Sequence, residues 1–163
     1  ENILILGSGA LAEDLINQFK KRAKIFVTAR NQERLSQLAQ IHQIEIVPWN
    51  DYTKYLDHAF IANTIGCKNE IILNTDFFES WNKKSNQRAF IDLGSPSTIR
   101  TSLTTENHLY RLENIFEEGA IHQTLKMQKL NQAHEAIRSA ATRREQLFVM
   151  PEFMPTVAGV NFV

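Results

Sequence analysis

A glycine-containing stretch near the start of the chain, ILILGSGALAEDLI (residues 3–16), has the residue types and spacing of a phosphate-binding turn. Apolar residues lead into Gly7, Ser8 and Gly9, and Ala12 occupies the third position of a G-x-G-x-x-G/A pattern. The first glycine permits a sharp turn, the second lets a pyrophosphate approach the backbone, and the third position sets how closely helix and strand pack. Amides at the start of the following helix can then bind the anion.

A tight turn that binds no ligand would show the same glycines. The context favours a dinucleotide site, because the pattern follows a predicted strand, opens a predicted helix and begins a βαβ unit. The pattern therefore predicts that this turn cradles the pyrophosphate of a dinucleotide.

The residues after the predicted second strand indicate which dinucleotide is bound. An NAD site usually has an acidic residue about 20 positions after the glycines, where it binds the ribose 2′-hydroxyl. This chain has Thr28, Ala29, Arg30 and Asn31 there, with no acid. The planar guanidinium of Arg30 suits a 2′-phosphate, so NADP(H) is preferred over the alternative of a surface arginine beside a helix cap. Arg34, one helical turn on, is a further candidate.

The loop after the predicted fourth strand should face the same crevice. It contains Thr64 and Gly66, which are small enough to pass close to a ribose or a nicotinamide, although an ordinary turn would look the same. Asp92 ends the predicted fifth strand, where it could face the nicotinamide or cap the following turn.

No side chains with a catalytic or metal-binding spacing accompany these elements. Cys67 has no histidine near it in the sequence, and free cysteines are usually buried and inert. Glu118 and His122 lie four residues apart, but two ligands do not make a metal site. We therefore predict no catalytic residue and no metal site in this chain, and expect any chemistry to be completed by residues outside it.

Strands alternate with helices along the chain, and most strands lack polar alternation, which predicts an α/β fold with a doubly wound, Rossmann-like parallel sheet and a long C-terminal helix. The predicted strands are 3–6, 24–28, 44–47, 59–63, 89–93 and 108–110. The predicted helices are 10–22, one capped by Asn31, 52–57, 76–83 capped by Asn74 or Thr75, and 113–148. The first helix has an apolar face made of Leu11, Leu15, Ile16 and Phe19. The second helix carries Leu35, Leu38 and Ile41.

The predicted organisation is a dinucleotide-binding domain (1–112), a long helix (113–148) and a tail (149–163). The helix would span roughly 50 Å at about 1.5 Å per residue, whereas a domain of this size is about 30 Å across. We expect it to extend beyond its domain and pack on another domain or a second copy, with a frayed or bent helix as the alternative. Its apolar stripe, broken at Arg144, is Leu130, Ala133, Ile137, Ala140 and Leu147.

The overall composition excludes several classes of protein. Eighteen basic residues balance eighteen acidic ones over 163 residues, so the chain has no global field to hold nucleic acid. No apolar run approaches a membrane span and no signal peptide pattern is present. Cys67 is the only cysteine, which excludes an internal disulfide and favours a reducing, cytoplasmic location. The absence of an initial methionine leads us to expect an excised domain or a processed product.

Five stretches together resemble the NADPH-binding domain and spinal helix of the glutamyl-tRNA reductase family, over most of residues 2–147. They are ILILGSGALAEDLI, VTARNQERLSQLA, AFIANTIGCKNEII, FIDLGSPSTI and HLYRLENIFE with the helix after it. The resemblance implies NADPH as cofactor, held by the glycine turn and by the loops after the second and fourth strands. The cofactor loop of that family corresponds to Gly7, Ser8, Gly9, Ala10, Leu11 and Ala12, and its arginine to Arg30. With Asn31, Thr64 and Gly66 added, these are the predicted cofactor-binding residues.

The same resemblance implies a reaction, namely reduction of glutamyl-tRNA to glutamate-1-semialdehyde in tetrapyrrole (porphyrin) biosynthesis. The cysteine nucleophile and the tRNA contacts of that family belong to an N-terminal domain that would precede Glu1, and Cys67 does not match the nucleophile. Ala29 and Ser97 depart from the Asn and Arg usual at those positions. The alternatives are a nucleotide-sensing or oligomerisation module without hydride chemistry, and the cofactor domain of a shikimate dehydrogenase-like or precorrin-2 dehydrogenase-like reductase.

Overall fold

Six strands form one parallel sheet in the computed structural model, which describes residues 2–84 and 87–148. The strands are β1 (Asn2–Leu6), β2 (Lys24–Thr28), β3 (Glu45–Ile46), β4 (Phe60–Asn63), β5 (Ala89–Asp92) and β6 (Leu109–Arg111). Their order is β3-β2-β1-β4-β5-β6, which confirms the predicted doubly wound, Rossmann-like fold. The order reverses between β1 and β4, so a crevice lies beyond the carboxyl ends of these two strands.

All of the predicted helices are present, with boundaries that differ by a few residues. They are α1 (Ala10–Phe19), α2 (Gln32–His42), α3 (Tyr52–Tyr55), α4 (Thr75–Asn82) and α5 (Leu112–Phe148), and a short 3-10 helix, Thr105–Asn107, precedes β6. The helix α1 ends before the predicted Arg22, because the chain enters a turn in which the Arg22 amide donates to the Phe19 carbonyl at 2.8 Å.

Side chains cap three of the helices at their N-termini. The side chain of Asn31 accepts from the Arg34 amide at 2.9 Å, and that of Asn74 accepts from the Phe77 amide at 3.2 Å. Asp51 caps α3 in the same way. The predicted caps Asn31 and Asn74 are confirmed, and each satisfies an amide that the helix itself leaves unpaired.

The core consists of two apolar clusters, one on each face of the sheet, because successive side chains of a strand point to opposite faces. Leu4 and Leu6 of β1 pack with α3 and α4, whereas Ile5 packs with α1 and α2. On the two inner helix faces the structure buries Ile16, Leu35 and Leu38 and partly buries Leu15 and Phe19.

Leu11 and Ile41 do not share the burial of the other apolar positions of their helices. Leu11 is 41% exposed and Ile41 is 64% exposed. Both lie in terminal turns of their helices: Leu11 follows the exposed Gly9 and Ala10, and Ile41 precedes the left-handed Gln43 that ends α2. Helical periodicity alone does not show where the end of a helix leaves the sheet.

The long C-terminal helix is confirmed as α5, which is 37 residues long. The chain divides into two compact units, Glu1–Glu117 and Glu118–Val163. Within the second unit, Leu130 and Ile137 of the predicted stripe are 49% and 65% exposed. Pairing of this helix with a second copy stays a prediction. The side chain of Leu147 and the tail 149–163 lie outside the described residues.

None of the helices in residues 2–84 and 87–148 combines the length and the apolar character that crossing a membrane requires.

Candidate functional site

The turn between β1 and α1 is fixed by the ends of two neighbouring strands. The Gly7 amide donates to the Thr28 carbonyl at 2.8 Å, which joins the turn to the end of β2. Gly7 has φ +121°, and a Cβ there would collide with Oγ1 of Thr64. Thr64 itself donates from Oγ1 to the Leu6 carbonyl at 2.8 Å. Position 7 therefore requires glycine both for its backbone conformation and for the close approach of the loop after β4.

The start of α1 differs from that of the other sheet-packed helices because no side chain caps it. Gly9 is its N-cap residue and forms no side-chain hydrogen bond, and a Cβ at this position would have no heavy atom within 4 Å. The exposed Gly9, Ala10 and Leu11 present the first turn of a ten-residue helix to open space. Ala12, by contrast, is fully buried where α1 packs on the sheet. Backbone amides in this arrangement can bind an anion, and the helix dipole favours negative charge there.

The loops after β4 and β5 are joined by a buried hydrogen-bond network centred on Asp92, which is 2% exposed. Its carboxylate accepts from Nδ2 of Asn63 at 2.7 Å, from the Gly94 amide at 3.1 Å and from Oγ of Ser97 at 2.5 Å. The guanidinium of Arg111 lies 3.9 Å away. Of the two expectations for Asp92, the structure shows the turn cap. The roles of Asn63 and Ser97 in this network were not predicted, and the sequence signal for Asn63 was that β4, like β5, ends in a polar residue.

The same network fixes the loop that contains Gly66. The Ile65 amide donates to Oδ1 of Asn63 at 3.1 Å, and Oγ1 of Thr98 donates to the Ile65 carbonyl at 3.0 Å. A Cβ on Gly66 would collide with the backbone of Ser95. The glycine is therefore explained by loop packing, and the cofactor contacts of Thr64 and Gly66 stay predictions.

Arg30 lies beyond the end of β2, with half of its side chain exposed. Its Nη1 donates to Oε2 of Glu70 at 2.5 Å, and its guanidinium carbon lies 5.8 Å from the centre of the Trp49 ring. Sequence reasoning missed both partners, since Glu70 is 40 residues from Arg30. The other candidate guanidinium, on Arg34, is paired at 2.7 Å with Glu13 of α1.

The remaining candidates from the sequence are the possible metal ligands and Cys67. Within residues 2–84 and 87–148, no group of three or more His, Cys, Asp or Glu side chains could hold a metal ion. Glu118 and His122 form only an exposed pair at 3.9 Å. Cys67 is a free, partly exposed cysteine in the loop after β4.

A family model described as shikimate / quinate 5-dehydrogenase matches residues 1–118. The chain belongs to the shikimate / quinate 5-dehydrogenase family. No curated protein matches this member by sequence.

Several solved structures share the fold of this shikimate / quinate 5-dehydrogenase family member. The nucleotide-binding domain of glutamyl-tRNA reductase from Thermoplasma volcanium is 24% identical, with a TM-score of 0.63 over 78% of this chain and 86% of that chain. Glutamyl-tRNA reductase from Methanopyrus kandleri is 17% identical, with a TM-score of 0.51 over 88% of this chain and 41% of that chain. Shikimate dehydrogenase from Aquifex aeolicus is 24% identical, with a TM-score of 0.51 over 68% of this chain and 41% of that chain.

The chain thus spans about two-fifths of the two whole enzymes, at identities that establish a shared fold. Family and fold together identify a Rossmann-type NAD(P)-binding domain of the dehydrogenase kind, with oxidoreductase relatives. The glycine turn and the start of α1 lie where such domains bind their nucleotide.

Proposed function

We propose that this chain is the NADPH-binding domain of a glutamyl-tRNA reductase, which reduces glutamyl-tRNA to glutamate-1-semialdehyde in tetrapyrrole biosynthesis. The observation that carries the proposal is the uncapped, glycine-lined start of α1 at the point where the strand order reverses. The motif FIDLGSPSTI and the segment HLYRLENIFE, which runs from β6 into α5, support the reductase over other dehydrogenases. So does the coverage of 86% of the Thermoplasma volcanium nucleotide-binding domain.

In this proposal the chain holds and orients the cofactor and does not itself activate the substrate. The amides of Gly9, Ala10 and Leu11 bind the pyrophosphate, and Arg30 binds the ribose 2′-phosphate. The loop with Thr64 lies beside the nicotinamide ribose. NADPH supplies the hydride, whereas the nucleophile and the tRNA contacts come from outside these residues.

The cofactor assignment is tested by titrating the chain with NADPH and NADH. We expect NADPH to bind more tightly, and Arg30→Ala to remove about tenfold or more of that preference, because a charge-assisted hydrogen bond contributes about 1.5–3 kcal/mol. Lys24→Ala is the matched control and should leave the preference unchanged, because Lys24 is also an ion-paired cation but lies at the start of β2, at the opposite end of that strand from Arg30. Equal affinities of the wild-type chain for the two cofactors would contradict the NADPH assignment.

The substrate assignment needs a test in the host cell. Deleting the gene should create a growth requirement that glutamate-1-semialdehyde relieves, and a plasmid copy carrying the wild-type sequence should restore growth. A deletion strain that grows normally without the supplement would rule out the reductase.

A second candidate is the cofactor domain of a shikimate- or quinate-oxidising enzyme, which the family match over residues 1–118 favours. If this candidate is right, the enzyme that contains this chain should reduce NADP⁺ when shikimate or quinate is added. The absorbance of the NADPH formed measures the reaction. The glutamyl-tRNA reductase proposal predicts no such reduction.

A further inference from the structure

An ion pair joins the two loops that flank the outer part of the crevice. Arg30 follows β2 and Glu70 lies in the loop after β4, and their side chains meet at 2.5 Å although they are 40 residues apart. The two side chains are 50% and 37% exposed, so the pair is open to solvent. A dinucleotide phosphate that approached Arg30 would therefore meet a guanidinium already bound to a carboxylate.

Neighbouring groups hold this guanidinium in place from a third loop. The ring of Trp49 lies 5.8 Å from the guanidinium carbon, close enough for a cation–π contact. The next residue, Asn50, donates its amide to the Tyr55 hydroxyl at 3.0 Å, and that hydroxyl also bonds Oγ1 of Thr28 at 3.0 Å. The loop with Trp49 is thereby tied to the end of β2, and the position of Arg30 does not depend on Glu70 alone.

We propose that Glu70 competes with the ribose 2′-phosphate of NADPH for Arg30 and so lowers the affinity for the phosphorylated cofactor selectively. This inference rests on the proposed NADPH-binding function. An exposed carboxylate–guanidinium pair is weak, whereas a phosphate monoester carries more charge and matches the guanidinium fork. The 2′-phosphate can therefore displace Glu70, and the 2′-hydroxyl of NADH, which carries no charge, cannot.

The experiment compares two small probes that differ only in the relevant phosphate. Binding of 2′,5′-ADP and of 5′-AMP to the 163-residue chain is measured by isothermal titration calorimetry. For Glu70→Gln we expect about two- to fivefold tighter binding of 2′,5′-ADP and unchanged binding of 5′-AMP, since the competitor is weak but charged. Higher salt should reduce the difference in 2′,5′-ADP affinity between Glu70→Gln and the wild type, because the Arg30–Glu70 ion pair is exposed and therefore screened.

Two controls isolate the competition from a general change in charge. Glu45→Gln removes an even more exposed ion pair, with Lys24, at the start of β2 and β3 rather than beyond their ends. It should leave both probes unaffected. In an Arg30→Ala background, Glu70→Gln should no longer improve 2′,5′-ADP binding.

The possible failures can be told apart. Unchanged 2′,5′-ADP affinity in Glu70→Gln, with a wild-type chain that prefers 2′,5′-ADP over 5′-AMP, would overturn the competition and leave the NADPH assignment intact. Weaker 5′-AMP binding in Glu70→Gln would also overturn it, because Glu70 would then be a ribose ligand. A wild-type chain that does not distinguish the probes would overturn the NADPH assignment and this inference with it.

Discussion

The two walls of the crevice differ in whether their polar groups are hydrogen-bonded within the protein. The wall formed by the glycine turn and α1 leaves backbone amides without a side-chain cap, beside open space at Gly9. The wall formed by the loops after β4 and β5 pairs its polar groups internally, through Asn63, Asp92 and Ser97. A wall with free donors is suited to bind a ligand, whereas a wall with paired donors is suited to keep its shape.

The glycines of the two walls show the same contrast. A side chain at Gly9 would meet no protein atom within 4 Å, but one at Gly66 would collide with Ser95 and one at Gly94 with Ile65. Glycine is required at positions 66 and 94 by loop packing. At position 9 the protein itself does not require glycine, so the requirement would come from the ligand.

The substitution Asp92→Ala, in the wall whose polar groups are paired internally, should have the largest effect on stability. We expect the free energy of unfolding to fall by about 3–5 kcal/mol, because two buried donors and the partly buried Ser97 hydroxyl lose a charged acceptor. Urea denaturation measures this loss. The folded fraction should still prefer NADPH over NADH, since Arg30 and the start of α1 are unchanged.

Asp51→Ala is the matched control for that loss. It removes an aspartate that caps the N-terminus of α3, which should cost only about 1 kcal/mol. Equal losses for the two variants would contradict the distinction between the walls.

Gly9→Asp tests the ligand-binding wall, with effects of opposite sign on stability and binding. The new carboxylate would cap the free amides of α1, so stability should rise by a few tenths of a kcal/mol. It would also occupy and repel the pyrophosphate, so NADPH affinity should fall by at least about 100-fold.

Gly119→Asp introduces the same charge in α5, where a Cβ likewise meets no heavy atom within 4 Å. It should leave NADPH affinity unchanged. Undiminished binding by Gly9→Asp would show that the first wall is only a turn.

The smallest effect concerns a site outside both walls, His58, just before β4. Burial lowers the pKa of His58, whose ring packs at 4.6 Å against Phe26. The unfolded chain therefore binds a proton near the ordinary histidine pKa of about 6.5 and the folded chain does so only at lower pH, so stability falls as the pH drops through this range. His58→Phe should lose less stability than wild type between about pH 7.5 and about pH 5 in urea denaturation.

The His58→Phe variant should bind the cofactor at neutral pH with the affinity of the wild type, because His58 lies outside both walls of the crevice. A wild-type chain and a His58→Phe variant with identical pH dependence of stability would refute the role of this histidine.

The sequence by itself determined the features that depend on neighbouring residues. The alternation of strands and helices predicted the parallel sheet, and Asn31 and Asn74 were identifiable as caps because a cap bonds an amide three residues away. The glycine turn was equally local, since its pattern extends over six positions from Gly7 to Ala12.

Only the tertiary structure decided which distant groups meet. Asp92 contacts Asn63 across 29 residues and Glu70 contacts Arg30 across 40, and neither pair follows any spacing rule. Asn63 and Asp92 meet through the register of β4 and β5, whose last residues are partners, and Arg30 and Glu70 meet through the paths of two loops. Periodicity within one helix or strand specifies neither. The same limit explains why Leu11, apolar and in register with its helix, is exposed at the crevice.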